Sequence, residues 1–192
     1  MAQLSVGLTA GPSSSNIVGD KPDKSSFNGQ TALVGSAIIE YWFAPDLRVS
    51  FQPGFSKGGT TIAFDVPGTE DETRDSAKVA LDYINLPLLA RVVTDGGRWY
   101  VTGGPYLALL QTASGTYEGS GESVDISDEI LSRDMGVIFG VGHFFPIGPI
   151  QTYLEFRMVQ GLSNIREESE PHLRMRNKGS QVHFGLLYTI GS

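Results

Sequence analysis

The stretch Thr152–Leu162, TYLEFRMVQGL, divides cleanly at period two. Leu154, Phe156, Met158 and Leu162 share one face; Tyr153, Glu155, Arg157, Val159 and Gly161 share the other. Alternation at period two is a strand signal, not a helix signal. One face is apolar. The opposite face carries a carboxylate and a guanidinium two residues apart, with a glycine close by. A polar face that met bulk water would have little use for that glycine, whereas a narrow, crowded, polar interior would. The pattern predicts a strand whose apolar side is turned to lipid and whose mixed side lines a small barrel.

The same alternation recurs along the chain, in Leu4–Ala10, Thr31–Phe43, Leu47–Ser56, Val79–Val93, Trp99–Thr112, Asp134–Phe145 and Gln181–Ile190. In Trp99–Thr112 both sides are apolar or small, and the reading adopted turns Val101, Gly103, Pro105, Leu107 and Leu109 outward. Pro53 falls inside a strand, where proline is confined to edges and bulges, so a bulge is expected there. The connections alternate in length. Gly11–Gln30, Lys57–Lys78, Ala113–Arg133 and Ser163–Gly179 are long; Ala44–Asp46, Thr94–Gly97 and Pro146–Pro149 are short. An up-and-down antiparallel barrel puts alternate connections at opposite ends. Outer-membrane barrels have an even strand number, short periplasmic turns and long extracellular loops. The fold expected is therefore all-β: one domain over residues 1–192, an eight-stranded antiparallel up-and-down transmembrane β-barrel. Aromatic residues beside the short turns (Tyr41, Trp42 and Phe43; Trp99 and Tyr100; Phe144 and Phe145) are expected to form an interfacial girdle.

This register assigns side chains to faces. Leu33, Ile39, Phe51, Leu86, Leu88, Val137, Phe139, Leu154, Phe156, Phe184 and Leu186 are expected to face lipid. Glu40, Arg48, Arg91, Glu155 and Arg157 are expected inside, with Tyr106, Ile138 and Leu187 filling apolar gaps. Opposite charges in a narrow lumen must pair, because an unpaired buried charge costs about 3–5 kcal/mol. Arg48 reaches Glu40 across the short turn, and Glu155 with Arg157 is expected to share partners on the strands flanking their own.

Composition excludes several classes. No apolar run approaches the roughly 18–20 residues of a membrane-spanning helix. The net charge of −7 argues against nucleic acid as a partner. The chain has no cysteine, which removes disulfides and thiol catalysis. Met1–Leu4 enters a strand pattern with no basic or apolar leader. That is expected where a secretory signal has been removed and Met1 added; the plainer alternative is a cytoplasmic chain that never carried one.

Several segments together resemble the PorT-like outer-membrane β-barrel domain family of Gram-negative bacteria, related in architecture to OmpA and OmpX. They are Ile39-Glu40-Tyr41, Phe51-Gln52-Pro53-Gly54, Tyr83–Leu89, Gly103–Leu107, Asp134-Met135-Gly136 with Gly140-Val141-Gly142, and Glu155-Phe156-Arg157 with Gly161-Leu162. The resemblance covers nearly the whole chain and rests on order and spacing. It departs at Asn85, where a glutamate is common, and at Ile190, where a terminal aromatic is usual before Gly191-Ser192. It implies the fold and an outer-membrane location, with no shared enzymatic activity.

The residues themselves offer little catalytic chemistry. His143, His172 and His183 lie on different elements without metal-ligand spacing. Gly136, Gly140 and Gly142 lack nucleotide-loop spacing. The acidic clusters of the second and third long connections (Asp65, Glu70, Asp71, Glu72 and Asp75; Glu118, Glu122, Asp125, Asp128 and Glu129) lack calcium-loop spacing and read as solvated loop. No catalytic, metal or cofactor residues are expected. The leading reading is a non-enzymatic, monomeric outer-membrane protein whose plugged polar lumen supports loops with a structural, adhesive or scaffolding role. Its expected partners are membrane lipid and another envelope protein met through the loops. The alternatives are a small pore, an outer-membrane enzyme and a soluble ligand-binding barrel with the faces inverted.

Overall fold

A computed structural model describes residues 3–19, 25–65, 74–94, 96–117, 123–127, 131–163 and 175–190. They form β1 (Gln3–Gly19), β2 (Ser25–Trp42), β3 (Leu47–Phe51), β4 (Gly54–Asp65), β5 (Arg74–Val93), β6 (Trp99–Tyr117), β7 (Ser123–Asp125), β8 (Arg133–Ile147), β9 (Ile150–Gly161) and β10 (Met175–Ile190). Every pairing is antiparallel, and β10 pairs with β1 to close the sheet into a barrel. Closure leaves no strand edge for lipid, which cannot solvate it.

The barrel has eight wall positions. β3 and β4 share one of them, both lying between β2 and β5. β7 is a short addition paired to the upper end of β6. The break between β3 and β4 falls at Gln52-Pro53, where proline has no N–H to give to the ladder. The register with β5 runs through this break without a shift, from Phe51↔Leu88 to Gly54↔Asn85. The bulge expected at Pro53 is therefore elsewhere. One register shift lies between Gly29 and Val34 on β2, facing β4; another lies between Asp82 and Tyr83 on β5, facing β6.

The short connections close tightly. β8 and β9 are joined by Gly148-Pro149 alone, with Gly148 at φ +60°; glycine in the first central place is what a type II′ hairpin requires. Between β5 and β6, Thr94 N–H bonds Trp99 O at 2.9 Å, and Gly97, at φ +69°, bonds back to Thr94 O.

Two of the long connections are largely strand, and a third ends in strand. β1 runs to Gly19 and β2 starts at Ser25, β4 runs to Asp65 and β5 starts at Arg74, and β10 begins at Met175. Polar composition hid these extensions, because strand ends whose inward residues are small or polar, such as Ser13, Gly59 and Thr60, lose the apolar alternation. β5 has 20 residues, where about 9–11 suffice to cross hydrocarbon, so about half of it projects beyond the bilayer. In the connection after β6, Asp125 accepts hydrogen bonds from Ser127 Oγ and Ser127 N–H at 2.6 and 2.9 Å. These hold its carboxyl below the usual carboxylate range. His172 and the acidic residues Glu70, Asp71, Glu72, Glu118, Glu122, Asp128 and Glu129 lie outside the described residues.

The outward assignments place as follows. Leu33, Ile39, Phe51, Leu88, Phe139, Leu154, Phe156, Phe184 and Leu186 are exposed on the outer wall, and Leu86 and Val137 are half-buried there among their neighbours. The aromatic girdle needs correction. Tyr41, Phe43, Trp99 and Phe145 are exposed, but Tyr100 and Phe144 are buried and Trp42 is half-buried. Adjacent strand residues point to opposite faces, so an aromatic run cannot all join an outer belt.

Candidate functional site

The inward side chains form layers along the barrel axis. Nearest the short turns, Ile38, Val93, Tyr100, Phe144, Tyr153 and Leu187 pack into an apolar floor. Tyr100 and Phe144 stack with ring centroids 4.4 Å apart. Toward the long connections a second apolar cluster contains Leu81, Tyr83, Leu89, Tyr106, Ala108, Ala113 and Ile138.

Glu40, Arg48, Arg91, Glu155 and Arg157 are all buried in the interior and joined in one chain of ion pairs. Arg48 Nη1 lies 3.3 Å from Glu40 Oε1, and Arg91 Nη1 lies 2.6 Å from Glu40 Oε2. Arg91 Nη2 lies 3.0 Å from Glu155 Oε2, and Arg157 Nε pairs with Glu155 Oε1. Tyr100 donates its hydroxyl to Glu155 Oε2 at 2.5 Å. Arg157 Nη2 continues to Gln52 Oε1 at 2.7 Å, and Gln52 Nε2 bonds Ser50 Oγ. Glu40–Arg48 is the pair that the turn geometry suggested. The expected partners of Glu155 and Arg157 on flanking strands are not the ones found. The two bond each other, and they reach across the lumen to Arg91 on β5 and Gln52 beside the β3 break.

Three guanidiniums face two carboxylates here, so the network carries a formal excess of one positive charge. Aromatic faces take up part of it. The Arg48 guanidinium lies 3.7 Å from the Trp42 ring centroid and 4.7 Å from that of Phe144. Arg91 lies 5.0 and 4.8 Å from Tyr100 and Tyr153. A cation over a ring face in a desolvated site gains about 2 kcal/mol. Arg48 also donates to Gln151 Oε1 at 2.8 Å.

His183 is bonded through Nδ1 to Thr9 Oγ1 at 3.2 Å and through Nε2 to Gln181 Oε1 at 2.9 Å. His143 lies on the outer side, between the Trp99 and Phe145 rings. Among the described residues, no group of three or more His, Cys, Asp or Glu is arranged to hold a metal ion.

The chain matches the family model of the outer membrane protein beta-barrel domain over residues 1–167. It belongs to that family. Among solved structures, this outer-membrane barrel is similar to the outer membrane protein AlkL in lipid bilayers, at 13% identity and TM-score 0.56, over all of this chain and 92% of that one. It is also similar to Neisserial surface protein A, at 12% identity and TM-score 0.51, over 98% of each chain. At such identities the likeness shows the fold alone. A search of curated proteins gives no match. The bacterial outer membrane is the location, and the long connections lie at its extracellular side.

Two features of the barrel interior escaped the sequence reading. Three tyrosines each stand directly across from a glycine on the next strand: Tyr100↔Gly142, Tyr106↔Gly136 and Tyr153↔Gly185. A side chain on any of these glycines would overlap the opposite ring. The glycines give each ring room to lie against the wall, and the alternation of small and large inward residues was the available signal. The second feature is Asp134, which is buried above the upper apolar cluster. It accepts hydrogen bonds from Tyr106 Oη at 3.1 Å, Asn177 Nδ2 at 2.9 Å and Ser163 Oγ at 2.5 Å. A cavity of about 70 Å³ opens beside it, lined by Ser13, Ser56, Tyr83, Asn85 and Gln181.

Proposed function

We propose that this chain is a non-enzymatic integral outer-membrane protein with a closed lumen, serving as a rigid support for its extracellular connections. The observation that carries this reading is the ion-pair chain from Arg48 through Glu40, Arg91 and Glu155 to Arg157 and Gln52. It crosses the interior between two apolar clusters and takes up the space through which ions would move. An eight-stranded barrel is only wide enough for its side chains to fill. Arg91 is held by both carboxylates and Arg157 by Glu155 and Gln52, and charge-assisted bonds from several sides favour a fixed network over mobile charges. His183, the one inward histidine among the described residues, is hydrogen-bonded at both ring nitrogens, to Thr9 and Gln181, and so belongs to the polar lining of the interior.

On this reading the protein is a monomer that meets another envelope protein through its loops, in an adhesive or scaffolding role. Within its family the segments quoted above favour the PorT-like branch. Planar-bilayer recording of the purified protein at high salt tests the closed lumen. Silence or rare, irregular openings are expected; large, stable and reproducible single-channel steps would replace this reading with the small pore.

A further inference from the structure

The outer wall is not uniform. Between β2 and β4 the ladder pairs Gly29 with Thr60 and then Val34 with Ser56, and no pairing joins the residues between them. Gly59 N–H bonds the Ser15 hydroxyl of β1 instead, at 3.1 Å. The wall is drawn in at this seam, and two concavities meet there. The lower one, about 640 Å³, is floored by the small residues Ala10, Gly35 and Ala37 and walled by Leu8, Phe55 and Leu186. The upper one, about 580 Å³, is bordered by Lys57, Lys78, Asp82 and Thr112. Leu33 and Phe55 line both, so the two form one trough.

The trough changes character along its length. Its lower part is apolar and lies within the lipid-facing band. At its upper end the outward row turns polar, at the extracellular side. Lys57 and Lys78 are both exposed there, and Lys57 is 3.6 Å from Asp82, a solvent-open pair with ammonium hydrogens to spare. An ordinary bilayer lipid needs no such recess. A lipid with several chains and a phosphate at the outer headgroup level fits it. Its phosphate meets ammonium groups, and a chain lies over the small residues.

We propose that the seam between β1, β2 and β4 holds one phosphorylated glycolipid of the outer leaflet, of the lipid A type. Its phosphate lies at Lys57 and Lys78, and one acyl chain lies in the trough over Ala10, Gly35 and Ala37. This goes beyond the closed-lumen reading and does not depend on it, since the trough is on the outside.

The test is native mass spectrometry of the full chain in detergent, titrated separately with bisphosphorylated lipid A, its dephosphorylated form and phosphatidylglycerol. Wild type is expected to hold one lipid A and to prefer it over both others. The Lys57→Gln/Lys78→Gln variant is expected to bind lipid A about tenfold or more weakly, since basic groups at a membrane surface supply much of the attraction for anionic headgroups. Ala37→Phe, which fills the trough and leaves the lysines intact, is expected to lose the bound lipid as well. Arg133→Gln, an exposed cation on β8 away from the trough, is expected to bind as wild type. Equal retention of phosphatidylglycerol, retention of dephosphorylated lipid A, or a lysine variant indistinguishable from wild type would each overturn the proposal. Unboiled SDS gel mobility reports that every variant is folded, and if the double-lysine protein fails to fold, Ala37→Phe alone decides.

Discussion

Arg91 and Glu155 sit three wall positions apart around the barrel, on β5 and β9, and meet in the lumen at 3.0 Å with both side chains fully buried. Neither residue has a cheap alternative. Arg91 bridges the two interior carboxylates, Glu40 and Glu155, and Glu155 receives Arg91, Arg157 and the Tyr100 hydroxyl. The pair ties opposite sides of the wall together more directly than any backbone ladder does.

Glu155→Ala leaves Arg91 and Arg157 facing each other across a hole, with one carboxylate, Glu40, remaining for three guanidiniums. The expected cost is about 3–5 kcal/mol, the penalty for breaking a buried pair from one side. Urea unfolding in lipid vesicles, followed by the fluorescence of Trp42 and Trp99, measures it. Glu155→Gln keeps the shape and one acceptor oxygen and should cost less than Glu155→Ala. The alanine variant should also pass more current in planar bilayers than wild type does.

Gly142→Ala tests the support under this network. The added methyl overlaps the Tyr100 ring directly opposite it. The ring must move, and its hydroxyl then leaves Glu155. Overpacking of this kind costs about 1–3 kcal/mol. A second change, Tyr100→Ala, removes the clash and should make Gly142→Ala nearly free in that background. A double-mutant cycle from the same unfolding experiment measures the coupling, and additive costs would mean that the two residues do not meet.

Strand direction, the short turns and the inward or outward sense of most residues were legible because lipid on one side and a crowded lumen on the other impose opposite chemistries at period two. The five interior charges were legible for the same reason. Their partners were not. Glu155 and Arg157 gave no hint of Gln52 or Arg91, because contacts across a lumen depend on barrel diameter and strand tilt, and neither is written in any one strand. Tyr100 and Phe144 read as girdle residues because clustering near a turn masked their parity. Asp134 was passed over because it stands at a strand start, next to a loop rich in acids, and its partners are Asn177 of β10 and Ser163 just after β9. The strand extensions at Gly11–Gly19 and Ser25–Gln30 were missed because their residues are small or polar on both faces and the alternation fades.

The outer face can be tested without touching the lumen. Phe139 and Phe156 are both exposed on neighbouring strands, β8 and β9, and their Cα partners are Met158 and Val141, so they belong to one apolar surface. If lipid covers that surface, Phe139→Arg or Phe156→Arg places a guanidinium in hydrocarbon, at a cost of about 2–4 kcal/mol near the bilayer midplane and less near the interfaces. Ser123→Ala, on exposed β7 beyond the wall, should change stability by less than about 0.5 kcal/mol. Reversible unfolding in vesicles compares the three. A thinner bilayer should shrink the arginine penalties, because it brings both sites closer to headgroups and water. Equal, small effects at all three positions would mean that Phe139 and Phe156 do not meet lipid, whereas the expected order fixes the height of the membrane on the barrel.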